Sequence, residues 1–175
     1  MKFILLDRIT ALEPGKRITA TKSLTLAEEY LADHFPTFPV MPGVLMLEAM
    51  VQASAWLVRV SQGFTQSMVV LEEAKNITYK SFVSPGRMLE VTSEVVEIGD
   101  ASSEFKAFGV SGETEMVKAR LKLRHYNLAE RDRQWSETDE RLILDARRKF
   151  ELLGGPALLK RSAAVGMRLE SAGRT

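Results

Sequence analysis

The sequence predicts an α+β fold: one long buried helix, then a meander of antiparallel strands, with a helical extension at the C-terminus. Three observations carry this. From Val44 to Val60 nearly every residue is apolar, and a helix that is apolar all round belongs in a core rather than on a surface. From Val117 to Arg124 apolar and basic residues alternate without a break, as a strand with one buried and one solvated face requires. Between the later apolar runs stand Pro-Gly, Gly-Asp and Ser-Gly pairs, which turn the chain.

Taken in order, Phe3 to Leu6 is a short apolar run, readable as a strand or a first helical turn. Pro14-Gly15 turns the chain into a half-buried strand over Arg17 to Ser23, where Ile18 and Ala20 alternate with polar neighbours. Leu26 to Leu31 fits one or two turns of helix, followed by a loop with prolines at 36, 39 and 42. Pro42 suits the first helical position, whose N–H has no intrahelical acceptor, and the helix it opens is about 25 Å long at 1.5 Å per residue. Ser67 to Tyr79 reads as one long strand or two with a bulge, and strands follow over Leu89 to Ile98, Ser103 to Val110 and Val117 to Arg124. Beyond Leu128, Ser136 is placed to cap a helix over 136–153 whose Leu142, Ala146, Phe150 and Leu153 form one stripe. Gly154-Gly155-Pro156 ends it, and the last 20 residues, with four basic residues against one acidic, read as a mobile tail. The division is a domain over 1–128 and an extension over 129–175.

The 175 residues suit one domain with a proper core, and 45% hydrophobic with 27% charged residues excludes a disordered chain. Zero cysteines exclude disulfides, thiolate metal sites and cysteine nucleophiles. Two histidines, His34 and His125, leave too little for a histidine-rich metal site. Net charge is +1, with 14 basic against 15 acidic residues over 1–128 and 10 against 8 beyond, so no strong field favours nucleic acid or an anionic membrane. The first apolar run is too short for a signal peptide and none is expected to span a bilayer. A soluble cytoplasmic protein without a metal is the expectation.

The chemistry concentrates before and within the apolar helix. Glu48 and Gln52 lie four residues apart on one helix face, with Arg59 further along the same side. A buried carboxylate needs a partner or a changed protonation state, and pairing with Arg59 is the purely structural reading. The preceding loop, Asp33-His34-Phe35-Pro36-Thr37-Phe38-Pro39-Val40-Met41-Pro42-Gly43, is stiffened by three prolines at spacing three and holds His34. Within fifteen residues the chain thus supplies a base, an acid and the backbone N–H donors of a helix N-terminus. That set suits proton abstraction next to a carbonyl.

Residues 34–52, HFPTFPVMPGVLMLEAMVQ, closely resemble the active-site motif of the β-hydroxyacyl-acyl carrier protein dehydratases (FabZ/FabA type). The resemblance runs roughly from Phe3 to Leu128 and includes Phe3 to Arg8 and Tyr79 to Gly86. It implies a hotdog fold, a curved antiparallel sheet around a long central helix. It implies an obligate homodimer with two shared active sites, and admits a trimer of dimers. His34 of one protomer would face Glu48 of the other. His34 would take the α-proton of a 3-hydroxyacyl thioester and Glu48 would protonate the departing hydroxyl. The Gly43 amide, with Val44 beside it, would hold the thioester oxygen, and Gln52 would orient Glu48. The resemblance implies an acyl carrier protein as partner and no cofactor or metal. Since carrier proteins are acidic, Lys80 and Arg87 are candidates for a basic docking surface.

Two departures from the family pattern bear on the site. Asp33 stands where the family usually has glycine, and a carboxylate close to His34 would favour the charged imidazolium. Ser81 and Arg87 replace a basic and an acidic residue of the later segment. The alternatives are another hotdog thioester enzyme, either a thioesterase or an enoyl-CoA hydratase, or a non-catalytic subunit that binds the carrier protein.

Overall fold

In a computed structural model, which describes residues 4–160, six antiparallel strands form a single sheet. They are β1 (Arg8–Glu13), β2 (Arg17–Ser23), β3 (Met68–Tyr79), β4 (Met88–Ile98), β5 (Ser102–Ser111) and β6 (Thr114–Tyr126). Helix α1 (Gly43–Ser61) falls between β2 and β3, and helix α2 (Ser136–Leu152) follows β6. The spatial order is β1-β2-β4-β5-β6-β3. The passage through α1 carries the chain across the sheet, so β3 becomes the edge beside β6 while β4 returns beside β2. α1 packs against β2 through β6. Five strands span about 19 Å at their usual spacing, more than one helix is wide, so the sheet curls around α1.

The alternation in β6 places Val117, Ala119, Leu121 and Leu123 inward, each at most 6% exposed. β2 has the bounds its alternation predicts, and β4 and β5 begin one residue earlier than expected. β1 is the strand the pattern did not disclose. Its register against β2 shifts between Ile9 and Ala11, so the buried residues Ile9 and Leu12 are three apart and the two-residue period is lost. The apolar run before it is neither strand nor helix, yet Leu5 and Leu6 are buried; Phe3 lies outside the described residues. β3 is one strand with two register shifts against β6, at Leu71/Glu73 and Lys75/Thr78.

Pro42 is the residue before α1 rather than its first, and Gly43 opens the helix. The sheet-facing side buries Met46, Ala49, Met50, Ala53 and Leu57. Ser54, fully buried, bonds the Ser93 hydroxyl of β4 at 2.7 Å and donates to the Met50 carbonyl at 2.9 Å. α1 is the one helix among the described residues long and apolar enough to cross a membrane, with mean hydropathy 1.3; the sheet makes it a core helix.

α2 forms as its stripe predicts, but Ser136 does not cap it. Trp135 precedes the helix and Ser136 is its first residue. The anchoring side chain is instead Asp139, whose carboxylate accepts from the Leu128 and Ala129 amides at 2.9 and 2.8 Å and from the Ser67 hydroxyl. Phe150 of α2 packs between Trp56 of α1 and Phe64, ring centroids 6.0 and 5.5 Å away. Ile9 N–H donates to the Leu153 carbonyl at 2.9 Å. The extension therefore folds back over the side of α1 that the sheet leaves open. Leu153-Gly154 breaks the helix, with Gly154 at φ +82°, and the chain is helical again over 155–160. Of the segment read as a mobile tail, 156–160 are thus helical, and 161–175 lie outside the described residues.

Candidate active site

At the head of α1 the first-turn amides have no helical acceptor. The Pro42 carbonyl accepts from Leu45 and Met46, and no acceptor among the described residues meets the N–H of Gly43 or Val44. A Cβ at position 43 would lie 3.1 Å from the Tyr79 ring. Glycine here lets the end of β3 close on the helix terminus.

Glu48 stands about 7 Å further along the axis and is partly buried. Its Oε1 accepts from Gln52 Nε2 at 2.9 Å. Gln52 Oε1 in turn accepts the Leu5 N–H at 3.0 Å, so the amide's orientation is set by the chain that runs into β1. The structure brings Glu48 and Gln52 together as their spacing predicts. The alternative partner for Glu48 is not used: the Arg59 guanidinium lies over the Trp56 ring at 5.6 Å. Arg59 Nε is buried without a hydrogen-bond partner among the described residues, and burial pushes the guanidinium down to about 10.

His34 is held by its backbone. Its N–H donates to the Tyr30 carbonyl at 3.1 Å and its ring meets Phe35 at a centroid distance of 4.5 Å. Phe35 turns the chain at φ +50° and its carbonyl accepts from Phe38 at 2.8 Å. Upstream, Lys22, 6% exposed, is paired with Glu28 and so ties the approach to the loop to β2. Downstream, Met41 N–H donates to the Val83 carbonyl at 2.9 Å. The loop is therefore fixed at both ends as well as by its prolines.

The remaining expected residues separate. No hydrogen bond or ion pair among the described residues joins His34 to Glu48 within one chain. The Asp33 side chain is exposed and makes no hydrogen bond or ion pair with His34 among those residues. Lys80 is paired with Glu115 at 2.6 Å, whereas Arg87 is exposed on its turn. His125 is buried and bonded to Ser103 at 3.0 Å and Gln66 at 3.2 Å. No group of three or more side chains able to hold a metal occurs among the described residues.

Glu48 and Gln52 open into a cleft of about 510 Å³ between α1 and α2. Its α1 wall continues through Val51, Ala55, Trp56 and Arg59. The α2 side of this cleft was not foreseen. The stripe at 142–153 was legible, but nothing in its periodicity says which surface it meets.

One helix thus carries a carboxyl held by an amide and, more than a turn earlier, amide donors without acceptors among the described residues, and the loop that leads into it holds a histidine by its backbone. A family model of the FabA-like domain matches residues 1–118. The chain belongs to the FabA-like family. This FabA-like chain is 33% identical over 118 residues to the 3-hydroxyacyl-[acyl-carrier-protein] dehydratase FabZ of Pediococcus pentosaceus, which covers 67% of this chain and 79% of that protein. The FabZ of Levilactobacillus brevis is 35% identical over 118 residues, covering 67% and 80%. That of Anaeromyxobacter is 42% identical over 99 residues, covering 54% and 63%. Among solved structures, the dehydratase heterocomplex ApeI:P from Xenorhabdus doucetiae superimposes with a TM-score of 0.62 at 15% identity, covering 76% of this chain and 90% of that one. The protein smu.793 of Streptococcus mutans, bound to acetyl CoA, gives 0.56 at 16%, covering 73% and 94%. These neighbours and the curled six-stranded sheet make the FabA-like domain a hotdog fold. The match ends within β6, so α2 lies beyond it.

Proposed function

We propose that the chain removes water from 3-hydroxyacyl thioesters carried on acyl carrier protein, giving trans-2-enoyl thioesters for fatty acid biosynthesis in the cytoplasm. The observation that carries this reading is Glu48 held by Gln52 at 2.9 Å on the same helix whose first amides have no acceptor. The thioester oxygen sits on the Gly43 and Val44 N–H groups, which favour the negative charge that grows there as the α-carbon loses its proton. His34 accepts that proton. Glu48 gives its proton to the β-hydroxyl, the C–O bond breaks, and water and the enoyl thioester leave. The proton on His34 and the carboxylate of Glu48 then return to their starting states through solvent. Gln52 keeps Glu48 aimed along the helix. Residues 129–175 are an extension on a catalytic domain of 1–128.

No hydrogen bond or ion pair joins His34 to Glu48 among the described residues, and in this reading a second copy completes the site. β3 is one of the two edge strands of the sheet, 12 residues long, and its Leu71, Ile77 and Tyr79 are exposed. A long uncovered edge pairs readily with another strand, and pairing of β3 with its own copy is isologous and closes on a dimer. Val44 and Phe82, 66% and 59% exposed, lie at the helix head and beside β3's end. Assembly of three such dimers extends the same reading. Arg87, and Lys80 where it parts from Glu115, supply positive charge for an acidic carrier protein.

The test is turnover of a crotonyl thioester to the 3-hydroxybutyryl form, followed by loss of enone absorbance. Wild-type protein silent on both carrier-protein and CoA thioesters would falsify the reading. His34→Ala and Glu48→Gln should each lose roughly 10²-fold or more. Co-expressed, they should recover roughly a quarter of wild-type turnover, because half of the random dimers are mixed and each mixed dimer keeps one intact site. Absence of recovery in a verified mixed dimer places both residues of a site on one chain.

A further inference from the structure

We propose that the buried ion pair between Lys22 and Glu28 positions His34: it fixes where the turn before the histidine loop begins, and so where the imidazole meets the substrate. This rests on the dehydratase reading, in which His34 takes the α-proton.

Lys22 stands where the strand period calls for an apolar side chain. β2 pairs with β4 without a register shift, so Ile18, Ala20 and Lys22 share one face. Ile18 and Ala20 are fully buried in the core, and Lys22 is 6% exposed. An ammonium in that place is costly unless it is paired, and its Nζ is paired with Glu28 Oε1. Two apolar side chains of similar size fill such a place about as stably, so stability alone does not account for the pair. What the pair adds is direction: apolar contacts are non-directional, whereas a charge-assisted hydrogen bond holds one geometry.

The backbone passes that direction on to His34. Glu28 is the residue before a single 3-10 turn over Glu29–Leu31. Its carbonyl accepts from the Leu31 N–H at 3.1 Å, and the Tyr30 carbonyl accepts from the His34 N–H at 3.1 Å. Leu24 and Leu31 anchor the segment in the core. No other side-chain hydrogen bond or ion pair among the described residues joins residues 25–34 to the strands. The strand end that carries Lys22 is itself held. Asp7 Oδ2 accepts from the Ser23 N–H at 2.6 Å, and the Asp7 N–H donates to the Thr21 carbonyl at 2.8 Å. Burial first, then the Glu28 and Asp7 carboxylates, push the Tyr30 phenol up, so the ring whose carbonyl holds His34 lies against the same cluster.

The experiment replaces the pair by apolar side chains of similar size, Lys22→Met with Glu28→Leu, in the full chain, with circular dichroism to check the fold. On the crotonyl thioester kcat should fall about tenfold with KM within about twofold of wild type, because the pair aims the base rather than binds the substrate. Glu28→Gln keeps an oxygen for the Lys22 ammonium and should keep kcat within about threefold. A second readout does not depend on turnover. The chain has two histidines, and the imidazole Cε1–H resonance of His34 is identified by its loss in His34→Ala. In the double variant this resonance should shift and broaden while that of buried His125 stays in place. An unmoved His34 resonance overturns the proposal, as does kcat within about twofold of wild type or a loss that falls on KM alone. If the double variant does not fold, Glu28→Ala, at the more exposed of the two partners, carries the same two measurements. Wild type inactive on every thioester counts against the dehydratase reading instead, and the His34 resonance then still reports whether the pair holds the loop.

Discussion

The side-chain amide of Gln52 donates to Glu48 Oε1 at 2.9 Å. The same amide's oxygen accepts the Leu5 N–H at 3.0 Å, so one residue on α1 links the acid to the segment that enters β1. Gln52→Leu removes both bonds. It should cost about 1–3 kcal/mol, because the Leu5 amide loses its acceptor, and lower kcat roughly tenfold to 10²-fold as Glu48 swings free. Gln52→Glu separates the effects: it keeps an acceptor for Leu5 and most of the stability, but sets a second carboxylate against Glu48. Urea titration and steady-state kinetics read the two. Full activity in Gln52→Leu would show that the amide does not position the acid.

Gly43 lies where the end of β3 presses on the helix head. In Gly43→Ala the new methyl meets the Tyr79 ring at 3.1 Å, so ring or helix terminus must give by a few tenths of an ångström. The helix itself tolerates alanine well. Expected is a folded protein with kcat reduced roughly tenfold or more through displaced amide donors, partly restored by Tyr79→Leu. Restoration is checked by comparing the single and double variants, and its absence means that the ring is not what displaces the amides.

Gly155 packs against the residue that anchors the extension. A Cβ there would lie 2.1 Å from the Phe150 ring, well inside contact distance, and Phe150 is 4% exposed between Trp56 and Phe64. Gly155→Ala should destabilise by about 1–3 kcal/mol through overpacking. Combined with Phe150→Leu, it should cost less than the sum of the two single changes. Thermal unfolding of the four proteins measures the coupling, and simple additivity would refute the contact.

His125 gives a pH dependence of stability. Burial pushes its imidazole below the usual range, outweighing the opposing pull of the Asp100 carboxylate and the backbone at Asp100 and Ser102. The folded chain therefore binds this proton less readily than the unfolded chain, and the unfolded state takes it up first as pH falls below about 6.5. The contribution to stability is present above that value and is lost below it, until the folded imidazole also protonates. Wild type should lose urea midpoint between about pH 7.5 and pH 5.5 more steeply than His125→Gln. Parallel slopes would remove His125 as the cause.

The sequence by itself determined the local chemistry. A run from Val44 to Val60 in which nearly every residue is apolar belongs in a core, and strict alternation over Val117–Arg124 buries one face of a strand whatever its neighbours. The four-residue spacing of Glu48 and Gln52 is a property of any helix, which is why their hydrogen bond was legible beforehand. Where a local irregularity cancelled the period, as at the Ile9/Ala11 bulge, the strand was hidden. Tertiary structure alone decided what each face meets. It gave Arg59 to Trp56 rather than to Glu48, left the Asp33 side chain exposed and without a bond to His34, and laid α2 over α1 to wall the cleft beside Glu48. The physical reason is that periodicity records only that a side chain avoids water, whereas its partner depends on how strands far apart in the chain bring two surfaces together.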